Sequence, residues 1–201
     1  LVFPRTVGNI RCRMMRSVDL MIFDLDGTLV SSGHDLASAV NYTLGKMGLP
    51  LRKESEIIGF VGDGIRKLLE RALNGDRGKM VEEALIIFSD YYARHLLDTT
   101  ALYPGVLDVL DHFAEKKKAV LTNKRQIFTK AILSGLKIEK YFNEIIGADT
   151  FSYQKPDARL VSYLLDKYGI APQRAVIIGD GVNDILTARN SGILSVAVLS
   201  G

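Results

Sequence analysis

Two carboxylates, two residues apart, follow the first apolar run of the sequence. Asp24 and Asp26 come directly after residues 18–23, and Gly27 and Thr28 follow them. If that run is a strand of an open α/β sheet, both acids lie beyond its carboxyl end, where such sheets bind ligands. Gly27 would let the backbone turn sharply and approach a ligand closely. An ordinary strand-to-loop junction is the alternative, because Asp and Gly are common there, but the apolar run and Thr28 favour a site.

Three further polar groups follow later apolar runs or precede a helical segment. Thr122 and Asn123 offer a hydroxyl and amides that can hold phosphate oxygens, although either residue could instead be the N-cap of a helix. Lys155 could offset the charge of a transferring phosphoryl group, although an isolated lysine there would be a surface residue. Asp180 and Asp184 form a second pair of acids.

The two acid pairs together predict a metal site. Carboxylate oxygens are the ligands that Mg²⁺, a hard cation, prefers. We expect Asp180 to complete a magnesium site with Asp24 and Asp26, whereas Asp184 either joins that site or hydrogen-bonds the N-terminus of a helix.

The pattern of apolar residues predicts the elements that position these side chains. Five short, continuous apolar runs are typical of buried parallel strands, at residues 18–23, 119–121, 145–148, 175–178 and 193–198. Helical patterns lie between most of them, which favours a doubly wound, Rossmann-like α/β sheet. Between Val30 and Pro104 we expect no strand but three helices, at 36–46, 65–73 and 80–97.

These elements divide the chain into three parts. We expect an α/β core from residues 17–32 and 101–201, and a small helical cap domain from residues 33–100, inserted after the first strand. Residues 1–16 hold four arginines and no acid, and we expect them to be an N-terminal extension, either disordered or left from expression of the protein; a targeting peptide is the alternative. The end of the sequence, three residues after the last predicted strand, leaves room for a further segment.

Composition excludes several classes of protein. The 201 residues carry a formal charge of +3, but the basic excess lies in the first 16 residues, so the body of the protein does not resemble a nucleic-acid-binding surface. No uncharged stretch reaches the roughly 20 residues of a membrane-spanning helix. The single cysteine, Cys12, excludes an intrachain disulfide and agrees with a reducing, cytoplasmic location.

Four motifs in order resemble those of the haloacid dehalogenase-like hydrolase superfamily. They are D-L-D-G-T-L at 24–29, T-N at 122–123, K-P at 155–156 and G-D-G-V-N-D at 179–184. The resemblance covers about residues 18–201, and within the superfamily the sequence is most similar to the phosphoglycolate phosphatases. It implies a Rossmann-like core with a helical cap, and a phosphatase that acts through an aspartyl phosphate, with 2-phosphoglycolate as its substrate.

The resemblance also implies roles for individual residues. Asp24 would be the nucleophile, and Asp26 would protonate the leaving alcohol and then activate water. Thr122, the Asn123 amide and Lys155 would bind the phosphate, Thr122 and Lys155 also being catalytic, and Gly27 would approach it closely. The Mg²⁺ ligands would be the Asp24 carboxylate, the Asp26 carbonyl oxygen, Asp180 and, through water, Asp184.

The resemblance also implies that a loop of the predicted cap, residues 61–64, would face the active site and help to select the substrate. Gly62 and Arg66 lie in or next to this loop, and Arg66 could pair with a substrate carboxylate; an exposed helical arginine is the alternative. Ser31 departs from the family, which commonly has an acid there. His34 could touch substrate, but a solvent-exposed histidine is the more ordinary interpretation.

Other functions stay open at this stage. Another phosphomonoesterase or a pyrophosphatase of the same superfamily is one alternative, and a non-catalytic phosphate-binding domain is another. The expected partner is a small-molecule phosphate ester, with no nucleic acid and no membrane, and the expected assembly is a monomer or a homodimer.

Overall fold

A computed structural model describes residues 17–75 and 78–199. Its strands are β1 (Leu20–Phe23), β2 (Val30–Ser31), β3 (Ala101–Leu102), β4 (Lys117–Leu121), β5 (Glu144–Ile146), β6 (Ala175–Gly179) and β7 (Leu194–Ala197). Its α-helices are α1 (Gly33–Lys46), α2 (Glu54–Ile58), α3 (Ile65–Ala72), α4 (Lys79–His95), α5 (Val106–His112), α6 (Gln126–Gly135), α7 (Arg159–Tyr168) and α8 (Val182–Ser191). The predicted extension, residues 1–16, lies outside the described residues.

Five strands form a parallel sheet in the order β5-β4-β1-β6-β7. Alternate residues of β1 face opposite sides of this sheet, as the pleat of a strand requires. Leu20 and Ile22 pack in one apolar cluster with α7 and α8, whereas Met21 and Phe23 pack in the other with α5, α6 and the helices between β2 and β3. Helices therefore cover both faces, which confirms the predicted α/β fold with a parallel sheet.

The last strand differs from its prediction. We expected residues 193–198 to form a buried strand, but all four residues of β7 are exposed. The reason is its place at the edge of the sheet, where β6 is its partner.

The segment between β1 and β4 corrects another prediction. We expected no strand between Val30 and Pro104, but β2 and β3 pair antiparallel, with Val30 opposite Leu102 and Ser31 opposite Ala101. Each strand has two residues, too few to produce a periodic signal in the sequence. The pair holds together the two points where the chain enters and leaves the helical segment.

Helices α1 to α4 make up that segment, and α1 packs along α4. Tyr92 and Phe88 of α4 are almost fully buried, as is Leu44 of α1. The predicted helices at 36–46, 65–73 and 80–97 correspond to α1, α3 and α4, whereas the five-residue α2 was not predicted. Across the described parts of the chain, the helices lack the length and hydropathy needed to cross a bilayer.

Candidate active site

Most of the predicted site residues converge at the carboxyl edge of the sheet. β1 lies between β4 and β6, so the strand order reverses there, and this is the position at which open α/β sheets bind ligands. A cavity of about 600 Å³ opens at this edge. From the predicted set, it is lined by Asp24, Asp26, Gly27, Gly62, Thr122, Asn123, Lys155, Asp180 and Asp184.

Lys155 binds two of the carboxylates in the cavity. Its Nζ lies 2.9 Å from Asp24 Oδ1 and 2.6 Å from Asp184 Oδ1. Burial alone would lower the pKa of Lys155, but the charges of Asp24 and Asp184 raise it above its ordinary value. The lysine therefore stays charged. The backbone N–H of Leu25 also donates to Asp24 Oδ1, at 2.7 Å, and fixes the orientation of this carboxylate.

Asp24 and Asp180 have pKa values above the ordinary value of an aspartate. Burial is the main cause that raises the pKa of Asp24, and the nearby charges of Asp184 and Asp26 raise it further against the opposing effect of Lys155. Burial likewise raises the pKa of Asp180, with a contribution from Asp24. Thr28 Oγ1 donates to Asp180 Oδ1 at 2.8 Å and holds this side chain.

The acids at this edge fit a divalent cation. One carboxylate oxygen from each of Asp24, Asp180 and Asp184 lies within 4.8 Å of the others. These carboxylate oxygens are hard donors. The pKa values of Asp24 and Asp180 are raised, and a nearby cation would stabilise both carboxylates in their charged form. The donor set therefore fits Mg²⁺.

Asp184 combines the two roles that the sequence left open. It is almost fully buried, and its Oδ2 accepts a hydrogen bond of 3.1 Å from the Gly181 backbone N–H at the start of α8. Its Oδ1 is the partner of Lys155. Asp184 thus fixes the N-terminus of a helix and also contributes to the acidic cluster.

Gly27 is required by geometry. Its φ of +79° is in the left-handed region, which side chains other than glycine rarely adopt. A Cβ atom at this position would overlap the carboxylate of Asp180. The turn after β1 therefore brings backbone, rather than a side chain, against this acid.

Thr122 and Asn123 follow β4, and both are buried. Asn123 Oδ1 accepts the Lys155 backbone N–H at 3.0 Å, so it positions the lysine. Asn123 Nδ2 donates to the Gly62 carbonyl oxygen at 3.0 Å and so joins the sheet edge to the helical segment.

Lys124 belongs to the site, although the sequence analysis did not assign it. Its Nζ lies 2.9 and 3.0 Å from the two oxygens of Asp26, and the Ser32 hydroxyl donates to Asp26 Oδ1. Burial would lower the pKa of Lys124, but the charge of Asp26 and the contact with Tyr92 raise it. The one indication in the sequence was that Lys124 directly follows the T-N pair. At that position the sequence alone does not distinguish a buried lysine from a surface lysine.

The loop before α3 makes the contacts between the helical segment and the core. Asn183 Nδ2 donates to Asp63 Oδ1 at 2.7 Å and to the Gly62 carbonyl oxygen at 3.2 Å. Asp63 also pairs with Arg71. Hydrogen bonds from Asn183 and Arg71 lower the pKa of Asp63, which is therefore an anion. These contacts were not visible in the sequence, because they join residues 120 positions apart.

The structure does not bring two of the candidate residues to the cavity. Arg66 is not among the residues that line it, and its Nη2 donates to Glu82 Oε1 at 2.8 Å. His34 pairs with Glu54 at the surface, 3.1 Å away. Both side chains are exposed, as the alternative interpretation of each residue predicted.

Comparisons with known proteins agree with this fold and site. The family model "Haloacid dehalogenase-like hydrolase" matches residues 21–198. Phosphoglycolate phosphatase 1 of Pseudomonas aeruginosa is 37% identical over 191 residues, which cover 90% of this chain and 70% of that protein. Phosphoglycolate phosphatase of Caulobacter vibrioides is 39% identical over 185 residues, which cover 89% and 78%.

A solved structure has the same fold along most of its length. It is described as a predicted phosphoglycolate phosphatase from Haemophilus somnus 129PT, with 30% sequence identity and a TM-score of 0.89 over 93% of this chain and 88% of that one. The family model covers well over half of the sequence and includes all four motifs at the cavity. By its sequence and its fold, this chain belongs to the haloacid dehalogenase-like hydrolase family.

Proposed function

We propose that the chain is a Mg²⁺-dependent phosphatase that hydrolyses 2-phosphoglycolate through an aspartyl phosphate on Asp24. The coarser activity, hydrolysis of a phosphoric monoester, is what the family and the named relatives support. The observation that carries the finer proposal is the placement of Asp24, oriented by Lys155 and Leu25 at the edge of a cavity that also contains Thr122 and Asn123.

In the first step, an oxygen of Asp24 attacks phosphorus, and the bond from phosphorus to the ester oxygen breaks. Asp26 gives its proton to that leaving oxygen, so the alcohol departs neutral. Lys155, held against Asp24, offsets the charge that collects on the phosphoryl oxygens. Splitting the reaction through a covalent intermediate replaces one difficult step by two easier ones.

In the second step, Asp26 takes a proton from a water molecule, and the water oxygen attacks phosphorus. The bond from phosphorus to Asp24 breaks, which releases inorganic phosphate and restores the carboxylate. Ser32 and Lys124 hold Asp26 in position for both transfers.

Asp24, Asp180 and Asp184, with the Asp26 carbonyl oxygen, are the groups that would hold Mg²⁺. When bound, the metal supplies positive charge that reduces the repulsion between Asp24 and an anionic phosphate.

Residues 33–100 are proposed to act as a cap over this site. The loop before α3 meets the core through the hydrogen bonds of Asn123 and Asn183 to Gly62. Such a cover excludes water from the phosphoryl transfer and assembles the site around the substrate. We also propose a cytoplasmic location, a monomer or homodimer, and a small phosphate ester as the partner.

Phosphate release from a panel of substrates tests the proposal. The panel contains 2-phosphoglycolate, pyrophosphate, nucleoside monophosphates, hexose phosphates and p-nitrophenyl phosphate, each with Mg²⁺ and with EDTA. A clear preference for 2-phosphoglycolate, lost in EDTA, is the expected result. Preference for another compound would contradict the proposed substrate but leave the proposed mechanism standing. Binding without any turnover would contradict both the substrate and the mechanism.

A further inference from the structure

The wall of the cavity that residues 33–100, the proposed cap, contribute is mostly apolar. It includes Leu36, Ile58, Val61, Ile65, Leu68 and Phe88. Arg71 interrupts this wall, and it is the only cation that the described residues of the 33–100 segment contribute to the lining. The other basic side chains of the cavity, Lys124, Arg125 and Lys155, come from the core.

Arg71 is held in a fixed orientation. It lies in the last turn of α3, its Nη1 donates to the Phe60 carbonyl oxygen at 2.9 Å, and its Nη2 pairs with Asp63. Its side chain is two-fifths exposed and lines the cavity, so a ligand in the cavity can reach it. A guanidinium has five N–H donors in a planar fork, which leaves donors for a ligand beyond these two contacts.

Asp63 connects Arg71 to the core, because it contacts both Arg71 and Asn183. The other oxygen of Asp63 accepts from Asn183, at 2.7 Å, and Asn183 lies in the same motif as Asp180 and Asp184. Arg71 is thus connected through Asp63 to Asn183, which belongs to the core. A cation fixed in this way does not have to be ordered when a ligand binds, which reduces the entropic cost of binding.

We propose that Arg71 binds an anionic group, a carboxylate, at the end of the substrate opposite its phosphate. This inference rests on the proposed function, because it assumes that the phosphate lies at Asp24 and Lys155. The planar fork of arginine matches a carboxylate with two parallel hydrogen bonds. Arg71, rather than the Arg66 expected from the sequence, would then select 2-phosphoglycolate over uncharged esters.

A pair of substrates separates this role from a structural one. Ethyl phosphate matches 2-phosphoglycolate but carries a methyl group in place of the carboxylate. The values of kcat/KM for both are measured for the wild type, Arg71→Gln and Arg71→Lys. Lys67→Gln is the matched control, because Lys67 lies on the same helix, pairs with Glu70 and does not line the cavity.

Arg71→Gln is expected to lower kcat/KM for 2-phosphoglycolate by about 30-fold, in line with a lost charge-assisted hydrogen bond, and to change that for ethyl phosphate little. Arg71→Lys should recover part of the loss, and Lys67→Gln should keep the wild-type ratio. An equal loss on both substrates would mean that Arg71 only supports the loop at Phe60 and Asp63, and would overturn the proposal. Loss of selectivity in Arg66→Gln but not in Arg71→Gln would overturn it as well.

Binding without turnover keeps this test separate from the proposed function. In the Asp24→Asn background, calorimetry gives Kd for both compounds with and without Arg71→Gln. The expected result is tighter binding of 2-phosphoglycolate than of ethyl phosphate, with the difference lost in the double variant. If the wild type hydrolyses neither compound, the proposed function fails, and the calorimetry still decides the role of Arg71. Equal binding of the two compounds, or an unchanged difference, would overturn the proposal.

Discussion

At the scale of single residues, the ion pair of Lys124 with Asp26 places two opposite charges in largely buried positions. The exposed fractions of their side chains are 6% and 14%. Desolvation makes such charges costly, and each compensates the other only while both are present. Lys124 thus stabilises the carboxylate that the proposed mechanism uses for both proton transfers.

Lys124→Met tests this compensation. The variant leaves Asp26 without its cation, so we expect the free energy of unfolding to fall by about 3 kcal/mol. Lys124→Arg keeps the charge and should lose less. Urea unfolding at pH 7 measures all three proteins, with Lys130→Met as a control at an exposed position of α6. A loss below about 0.5 kcal/mol, which is ordinary for a surface substitution, would contradict the account.

Gly27→Ala tests the close approach of the first turn to Asp180. The variant must place a Cβ both at positive φ and against the Asp180 carboxylate. Gly105→Ala is a matched control, because Gly105 has a φ of +83° and nothing within 4 Å of the corresponding Cβ. Strain alone should cost Gly105→Ala about 1 kcal/mol. Gly27→Ala should cost clearly more and should also abolish phosphate release. Equal losses of unfolding free energy in the two variants would contradict the geometry.

At the scale of the elements, Asp35 joins the two ends of the segment that contains α1 to α4. Its carboxylate accepts four groups, the backbone N–H and the hydroxyl of both Thr99 and Thr100, at 2.6 to 3.1 Å. Burial opposes the charge, but these hydrogen bonds lower the pKa of Asp35 below its ordinary value. With the β2–β3 pair, Asp35 holds together the two points where the chain enters and leaves this segment.

The pH dependence of stability follows from the sign of this shift. A pKa lowered by folding stabilises the protein above the unfolded value of about 3.9, and the contribution is lost as the pH falls through the lower, folded value. At pH 7, Asp35→Asn should therefore cost about 2 kcal/mol of unfolding free energy. The difference from the wild type should shrink below about pH 4. Urea unfolding at both pH values, with Asp90→Asn as an exposed control, measures it; a difference independent of pH would contradict the account.

Sequence patterns predicted the elements that have enough residues to show a period. The buried strands β1, β4 and β6 and the longer helices were found, and so were the acids that follow the strands. The two-residue strands β2 and β3 were missed, because two residues show no alternation. Lys124, Asp35 and Arg71 were missed for a different reason: their roles come from partners that are distant in sequence, and a lone charged residue in a sequence is usually a surface residue.

At the scale of the whole molecule, sheet topology determines where the candidate site lies. The motifs are separated by up to about 150 residues, yet the parallel order β5-β4-β1-β6-β7 brings the ends of their strands to one edge. Two of the hydrogen bonds across the cavity, from Asn123 and Asn183, reach the same carbonyl oxygen of Gly62. In the proposed mechanism the core supplies the reacting groups, whereas the helical segment supplies the opposite wall of the cavity and the cation of Arg71.

Phosphate release from 2-phosphoglycolate by the wild type and by Asp24→Asn, each with Mg²⁺ and with EDTA, tests the central claim most directly. Asn cannot form the covalent phosphate, whereas its size leaves the cavity intact, and circular dichroism verifies that the variant is folded. The account predicts turnover by the wild type with Mg²⁺ and none above background in EDTA or in Asp24→Asn under either condition. Turnover by folded Asp24→Asn at a rate near that of the wild type would contradict it.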